Sequence, residues 1–279
     1  MRFFTQLSVL FVLGLVALSA CSSRRDVAKS IAVSGGLSEM VVSTPAFDLV
    51  AYTRLTPGHP TLTIYLEGDG YAWITPTRIS DDPTPRDPIA LRMAVRDPSP
   101  SVAYLSRPCQ YVAGAGRRNC SPAYWANGRF APEVISAEAA AIRTLMARAG
   151  ASRVRVVGYS GGAAIALLLP RYGIVPEKII TASGVVAPSA WIHLHDLSPL
   201  VGSLDPLDQP ETLASIPQVH FVGAADPVVP RAVADAYVRR IGTRAPIRVV
   251  EVPAYSHECC WSDQWPALLR QAEQALERP

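Results

Sequence analysis

An α/β fold, with a mostly parallel central sheet covered by helices on both faces, is the class this sequence predicts. Three observations carry it. Short runs of β-branched residues alternate with longer helical segments along most of the chain. A glycine-flanked serine, Gly158-Tyr159-Ser160-Gly161-Gly162, stands between an apolar run and a small-residue helix. Of the 279 residues, 49% are hydrophobic, enough to bury a sizeable core in one large domain. The 26 basic residues exceed the 23 acidic ones only slightly, and they cluster no further than pairs such as Arg117-Arg118 and Arg239-Arg240. No nucleic-acid surface is indicated.

Residues 1–20 stand apart from the fold. Arg2 gives a positive start, and Leu7 to Leu18 is an apolar run too short for a comfortable membrane span. The run ends in Leu18-Ser19-Ala20-Cys21, which resembles a bacterial lipobox. That resemblance implies removal of residues 1–20, lipidation of Cys21 and anchorage in the cell envelope. Ser22 follows the cysteine, with no aspartate to signal inner-membrane retention, so the outer membrane, facing the periplasm, is expected. Plain secretion with an unmodified Cys21 is the alternative. Residues 21–36 are polar and aperiodic and read as a tether, leaving 37–279 for the folded domain. An oxidising compartment permits disulfides among the other four cysteines. A local Cys109–Cys120 bridge is the first choice, with Cys259 and Cys260 forming a vicinal bridge or staying free; cross-bridges between the pairs are the alternative.

Taken in order, strands are expected at 47–54, 61–66 and 102–105, with a turn at Pro57-Gly58 and a short helix at 89–95. Pro132 starts a helix that Gly150 ends near residue 149. Strands at 153–157 and 178–182 flank the small-residue helix after Ser160. The segment 185–217, rich in proline and aspartate without a clean period, reads as a small cap or lid. A strand at 219–222, a helix at 230–241, a strand at 247–252 and a helix at 265–276 complete the chain. The Gly68 and Gly70 pair lacks the spacing of a dinucleotide site, and no Gly-Lys-Ser/Thr occurs.

A serine between a strand and a helix, with glycine two places to either side, is the pattern of a nucleophile elbow. Asp226 follows a late strand in Gly-Ala-Ala-Asp-Pro-Val-Val-Pro, and His257 follows the last strand. This chain order of Ser160, Asp226 and His257 resembles the α/β-hydrolase superfamily over about residues 47–276. The resemblance implies a catalytic triad in which His257 takes the proton of Ser160 and Asp226 orients the imidazole. His59, His193, His195 and His220 are poorer candidates: they fall in a turn, in the cap, or inside a buried strand. Asp205 and Asp208 follow no clear strand, and simple helix capping is the alternative role for Asp226.

Relatives place an oxyanion donor in the loop after the second of these strands, often beginning His-Gly. Here it reads Glu67-Gly68-Asp69-Gly70, so the donors implied are the backbone N–H groups of Gly161 and of Asp69, with Gly70 next. Tyr71, Trp73, Tyr124, Trp125, Trp191 and Trp261 are candidates to line an apolar pocket. The expected activity is hydrolysis of carboxylic esters or thioesters through an acyl-enzyme, with a small or lipid-like acyl substrate and with no metal or organic cofactor. A serine peptidase of the same fold and a catalytically silent envelope-binding lipoprotein are the alternatives.

Overall fold

The computed structural model describes residues 23–242 and 245–277. Its centre is an eight-stranded sheet: β1 Ser38–Ser43, β2 Asp48–Arg54, β3 Thr61–Leu66, β4 Val102–Leu105, β5 Arg153–Tyr159, β6 Lys178–Ala182, β7 Gln218–Gly223 and β8 Ile247–Val252. In space they run β1-β2-β4-β3-β5-β6-β7-β8. β2 is antiparallel to both of its neighbours, and every other pairing is parallel. The middle strands β3, β4 and β6 are almost wholly buried, as their unbroken apolar runs require in a sheet covered on both faces.

Seven α-helices accompany the sheet: α1 Arg24–Ser34, α2 Ile89–Arg96, α3 Pro132–Ala149, α4 Gly161–Leu168, α5 Pro188–Leu194, α6 Arg231–Ile241 and α7 Trp265–Glu277. Two apolar clusters divide the core between the faces. One gathers α3, α4 and α6 with Leu62, Ile64 and Val156; the other gathers α1, α2 and α7 with Tyr65, Val157 and Phe221. Alternate residues of one strand thus serve opposite layers.

Most expected elements appear with their expected limits. α3 begins at Pro132 and ends at Gly150, whose φ of +64° is the left-handed cap that glycine adopts freely. The tether expected at 21–36 is corrected: residues 24–34 form a helix. Ser23 and Asp26 make a reciprocal capping box, and Ala28 and Ala32 are fully buried against α2. Its core face is Ala28 and Ala32 with half-buried Ile31, too slight a stripe to stand out as a hydrophobic period. Gly35 is needed at the contact, since a Cβ there would lie 2.3 Å from Val95 Cβ. The folded unit therefore starts by residue 23, not 37. The edge strand β1 and a small hairpin, Trp73–Thr75 with Arg78–Ile79, were not expected either. Both alternate irregularly and lie partly exposed. Residues 1–20 and Cys21 lie outside the described residues. Among the described residues no helix is long and apolar enough to cross a membrane.

Cys109 and Cys120 are joined in a disulfide, and Cys259 and Cys260 in a vicinal one with a cis peptide bond between them. The first bridge closes a loop 11 residues long in sequence separation. Loop-closure entropy then gives about 3 kcal/mol of stabilisation. Replacing both Cys109 and Cys120 by alanine should lower unfolding free energy by about that amount in urea titrations. An unchanged midpoint would mean that the loop's hydrogen bonds alone constrain it.

Candidate active site

The turn at the end of β5 holds Ser160 at φ +51° and ψ −120°. A non-glycine residue there carries strain of order 1–3 kcal/mol, so its neighbours must over-determine it. They do. A Cβ on Gly158 would lie 2.6 Å from Ala163 Cα, and one on Gly162 would lie 2.3 Å from Leu66 O. Only glycine at 158 and 162 lets α4 turn so closely over β3 and β5. The Ser160 N–H donates to Ala182 O at 3.2 Å, tying the turn to β6.

Asp226 and His257 come from the loops after β7 and β8, at the same end of the parallel sheet as Ser160. His257 Nε2 lies 3.0 Å from Ser160 Oγ, and His257 Nδ1 lies 3.0 Å from Asp226 Oδ2. A carboxylate can only accept, so Nδ1 carries the proton and Nε2 is free to accept from the serine hydroxyl. The Asp226 side chain is fully buried. Burial opposes its charge, but the hydrogen bond and charge of His257 and the Val229 N–H outweigh it and hold the carboxyl below the usual range. Its Oδ1 accepts from Val228 and Val229 N–H at 2.8 and 2.9 Å. Asp226 thus shapes its own turn with one oxygen and meets the imidazole with the other. The main-chain carbonyl of His257 accepts from Tyr159 Oη and from Trp261 Nε1, each at 3.0 Å.

The rival residues have other work. His220 is buried between Thr181 Oγ1 and Gln218 Oε1, and burial pushes it down to about 3, so it stays neutral in the core. His195 bonds Val228 O, and His59 bonds Thr61 O. Asp205 caps a short 3-10 turn and accepts from Ser189.

Ser160 opens into a cleft of about 460 Å³ lined by Gly68, Asp69, Tyr71, Arg86, Tyr159 and His257, among others. Gly68 is pressed against the nucleophile turn: a Cβ on it would lie 3.2 Å from Ser160 Cβ. Its N–H is already used, donating to Glu67 Oε1 at 2.9 Å. Asp69 remains beside Gly161 as a backbone donor candidate, its carboxylate turned into Arg107 and Arg129. Gly70 sits at φ +67° under Pro83 O. The sequence contained no signal for Arg107, Arg129 or Gln110, because their roles depend on contacts 22 to 60 residues away. Tyr159 was legible only as the variable position of the elbow.

Of the six aromatic candidates, Tyr71 lines the Ser160 cleft, stacked by Arg24 and Arg86. Trp73 and Trp191 line a neighbouring cleft of about 400 Å³, together with Arg129, which pairs with Asp69 of the Ser160 cleft. Tyr124 lines a shallower hollow and bonds Glu133. Trp125 and Trp261 are core residues, 3% and 0% exposed, and are withdrawn as pocket linings. No residue of 185–217 lines the Ser160 cleft; α5 and the chain after it wall the neighbouring one. The expectation of a lid over the serine is therefore corrected. The segment's prolines and 3-10 turns pack it sideways on α6 instead.

No protein-family model and no curated protein matches the sequence. Among solved structures, a serine hydrolase without a lid from Xanthomonas campestris is similar at TM-score 0.52 and 12% identity, over 87% of this chain and 94% of that one. The chain has the α/β-hydrolase fold. A puromycin-hydrolysing peptidase of Mycobacterium tuberculosis superposes at TM-score 0.60 and 14% identity, over 88% of this chain but 39% of that one. A bacterial membrane phospholipase A described as a virulence factor matches at TM-score 0.55 and 14% identity, covering 92% of each chain. Within this α/β-hydrolase fold, β3 leads to the Glu67–Gly70 loop, β5 to Ser160, β7 to Asp226 and β8 to His257.

Glu67 stands where relatives often carry histidine. It is 1% exposed, and burial pushes its carboxyl up to about 7, against the pull of the Gly68 and Ala90 N–H groups. The folded protein therefore holds this proton more tightly than the unfolded chain does. Its contribution to stability is full below about pH 4.5 and is lost as pH rises through about 7, by about 3 kcal/mol. Glu67→Gln should flatten the fall in melting temperature between pH 5 and 8. Parallel wild-type and variant curves over that range would contradict the assignment.

Proposed function

We propose that this protein is a serine hydrolase that cleaves carboxylic esters or thioesters through an acyl-enzyme. The observation that carries the reading is the continuous Asp226–His257–Ser160 relay, with both links at 3.0 Å and its serine on a strained backbone. A binding module has no use for such strain, which disfavours a catalytically silent role.

Ser160 Oγ attacks the carbonyl carbon while His257 Nε2 takes its proton. The carbonyl oxygen gains the charge and is met by the N–H of Gly161, an unpaired donor of the first turn of α4, and by that of Asp69. Gly70 is the next candidate. The bond to the leaving group then breaks, and His257 returns the proton to the departing alcohol or thiol. Water, deprotonated by the same imidazole, releases the acid and restores Ser160. Asp226 keeps the tautomer and stabilises the imidazolium throughout.

Amide cleavage is the second reading, favoured by the likeness to the puromycin-hydrolysing peptidase. The likeness to the membrane phospholipase supports a lipid-like acyl substrate. Lipidation at Cys21 and envelope anchorage complete the proposal, resting on Leu18-Ser19-Ala20-Cys21.

Ser160→Ala should lower kcat by about a million-fold if the relay acts as a unit, and should abolish labelling by a fluorophosphonate probe. Retained ester turnover in this variant would sink the mechanism. A panel of acyl esters against peptide amides separates the two enzymatic readings. Cys21→Ser should move the protein from the membrane pellet to the soluble fraction; continued sedimentation would place the anchor elsewhere.

A further inference from the structure

The Gly68–Asp69–Gly70 turn is restrained far beyond what a turn requires. Asp69 divides its carboxylate between two guanidinium groups: Oδ1 accepts from Arg107 Nη1 at 3.1 Å, and Oδ2 accepts from Arg129 Nη1 at 2.5 Å. Both arginine side chains are buried, at 5% and 9% exposure, and each is pinned to main chain. Arg107 Nη2 donates to Arg129 O, and Arg129 Nε donates to Ala126 O. Burial opposes the charge on Asp69, but the two arginines outweigh it and hold its carboxyl below the usual range. Glu138 lies 3.7 Å from Arg107 Nε, and burial pushes its carboxyl up to about 8. Two guanidinium groups thus meet the single carboxylate of Asp69.

Two further contacts aim this assembly at the reacting centre. A Cβ on Gly161 would lie 2.3 Å from Asp69 Oδ1, so the carboxylate packs directly on the residue after the nucleophile. Gln110 Nε2 donates to Gly68 O at 3.1 Å, while Gln110 Oε1 accepts from Arg107 N at 3.1 Å. In a trans peptide the C=O and N–H point opposite ways. The bond that holds Gly68 O therefore also sets the direction of the Asp69 N–H.

We propose that Arg107, Arg129 and Gln110 are positioning residues for the oxyanion hole, acting through Asp69. The arginines hold its carboxylate aside and offset its charge, while Gln110 turns the Asp69 N–H toward the carbonyl oxygen. Without them, a carboxylate beside the nucleophile turn would repel the charge that develops on the substrate. With them, the same residue contributes a backbone donor while its own charge is offset by two ion pairs. The proposal rests on the serine-hydrolase reading above.

The test measures kcat and KM for p-nitrophenyl butyrate, and the affinity of an alkyl trifluoromethyl ketone, with the full chain. The ketone adds to Ser160 and puts a real oxyanion in the hole. Arg129→Gln and Gln110→Leu perturb the loop from opposite sides. Each should lower kcat by about 10- to 100-fold, leave KM within about threefold, and weaken the ketone by a factor matching the loss in kcat. Arg129→Lys should recover part of the loss, since it keeps the charge but not the planar fork. A folded Arg129→Gln with kcat and ketone affinity within about twofold of wild type overturns the proposal. So does a loss of kcat without a loss of ketone affinity, which marks a merely structural role. If Arg129→Gln does not fold, Gln110→Leu decides by the same criteria. Wild type that neither turns over the ester nor binds the ketone would overturn the hydrolase reading instead.

Discussion

The backbone of Ser160, at φ +51°, is the constraint on which the surrounding architecture depends. Such a conformation persists only where packing leaves no relaxed alternative. Here the packing comes from two neighbouring strands and a helix at once. β3 supplies Leu66 O under Gly162, α4 supplies Ala163 against Gly158, and β6 supplies Ala182 O for the Ser160 N–H. A parallel sheet suits the purpose, because its strands all end on one side and deliver their loops to one place. β7 and β8 do so for Asp226 and His257, the latter held further by Tyr159 and Trp261 at its carbonyl.

Charge is handled differently on the two sides of the serine. On the acid side, one buried carboxylate is stabilised by the imidazole and two backbone N–H groups. On the side of the Glu67–Gly70 loop, Glu67, Asp69 and Glu138 are carboxyl groups held in or beside the loop. Two of them, Glu67 and Glu138, are pushed up by burial to about 7 and 8, and Asp69 is neutralised by two arginines. Desolvation and ion pairing thus both limit negative charge beside Ser160. The Cys109–Cys120 bridge belongs to this side as well, since Gln110 and Arg107 flank Cys109 in the chain.

What was legible in the sequence was whatever is set locally. The buried strands at 61–66, 102–105 and 178–182 show as β-branched and apolar runs, and α3 is framed by Pro132 and Gly150. The elbow, the acid turn and the final histidine show because glycine spacing and chain order survive without any knowledge of contacts. α1 escaped notice because its core face, Ala28, Ile31 and Ala32, is mostly alanine and makes only a faint period. The cap at 185–217 was misjudged because composition marks a segment as irregular without saying which surface it covers.

The sequence by itself determined seven of the sheet's eight strands, the chain order of Ser160, Asp226 and His257, and the glycines without which the elbow cannot close. These follow from backbone sterics and from hydrophobic period, both of which act over a few residues. Tertiary structure alone decided that Asp69 is clasped by Arg107 and Arg129, and that Trp125 and Trp261 are core rather than pocket. The physical reason is range. A charge finds its partner, and an aromatic its burial, only once segments 38 and 60 residues apart in the chain have been brought together.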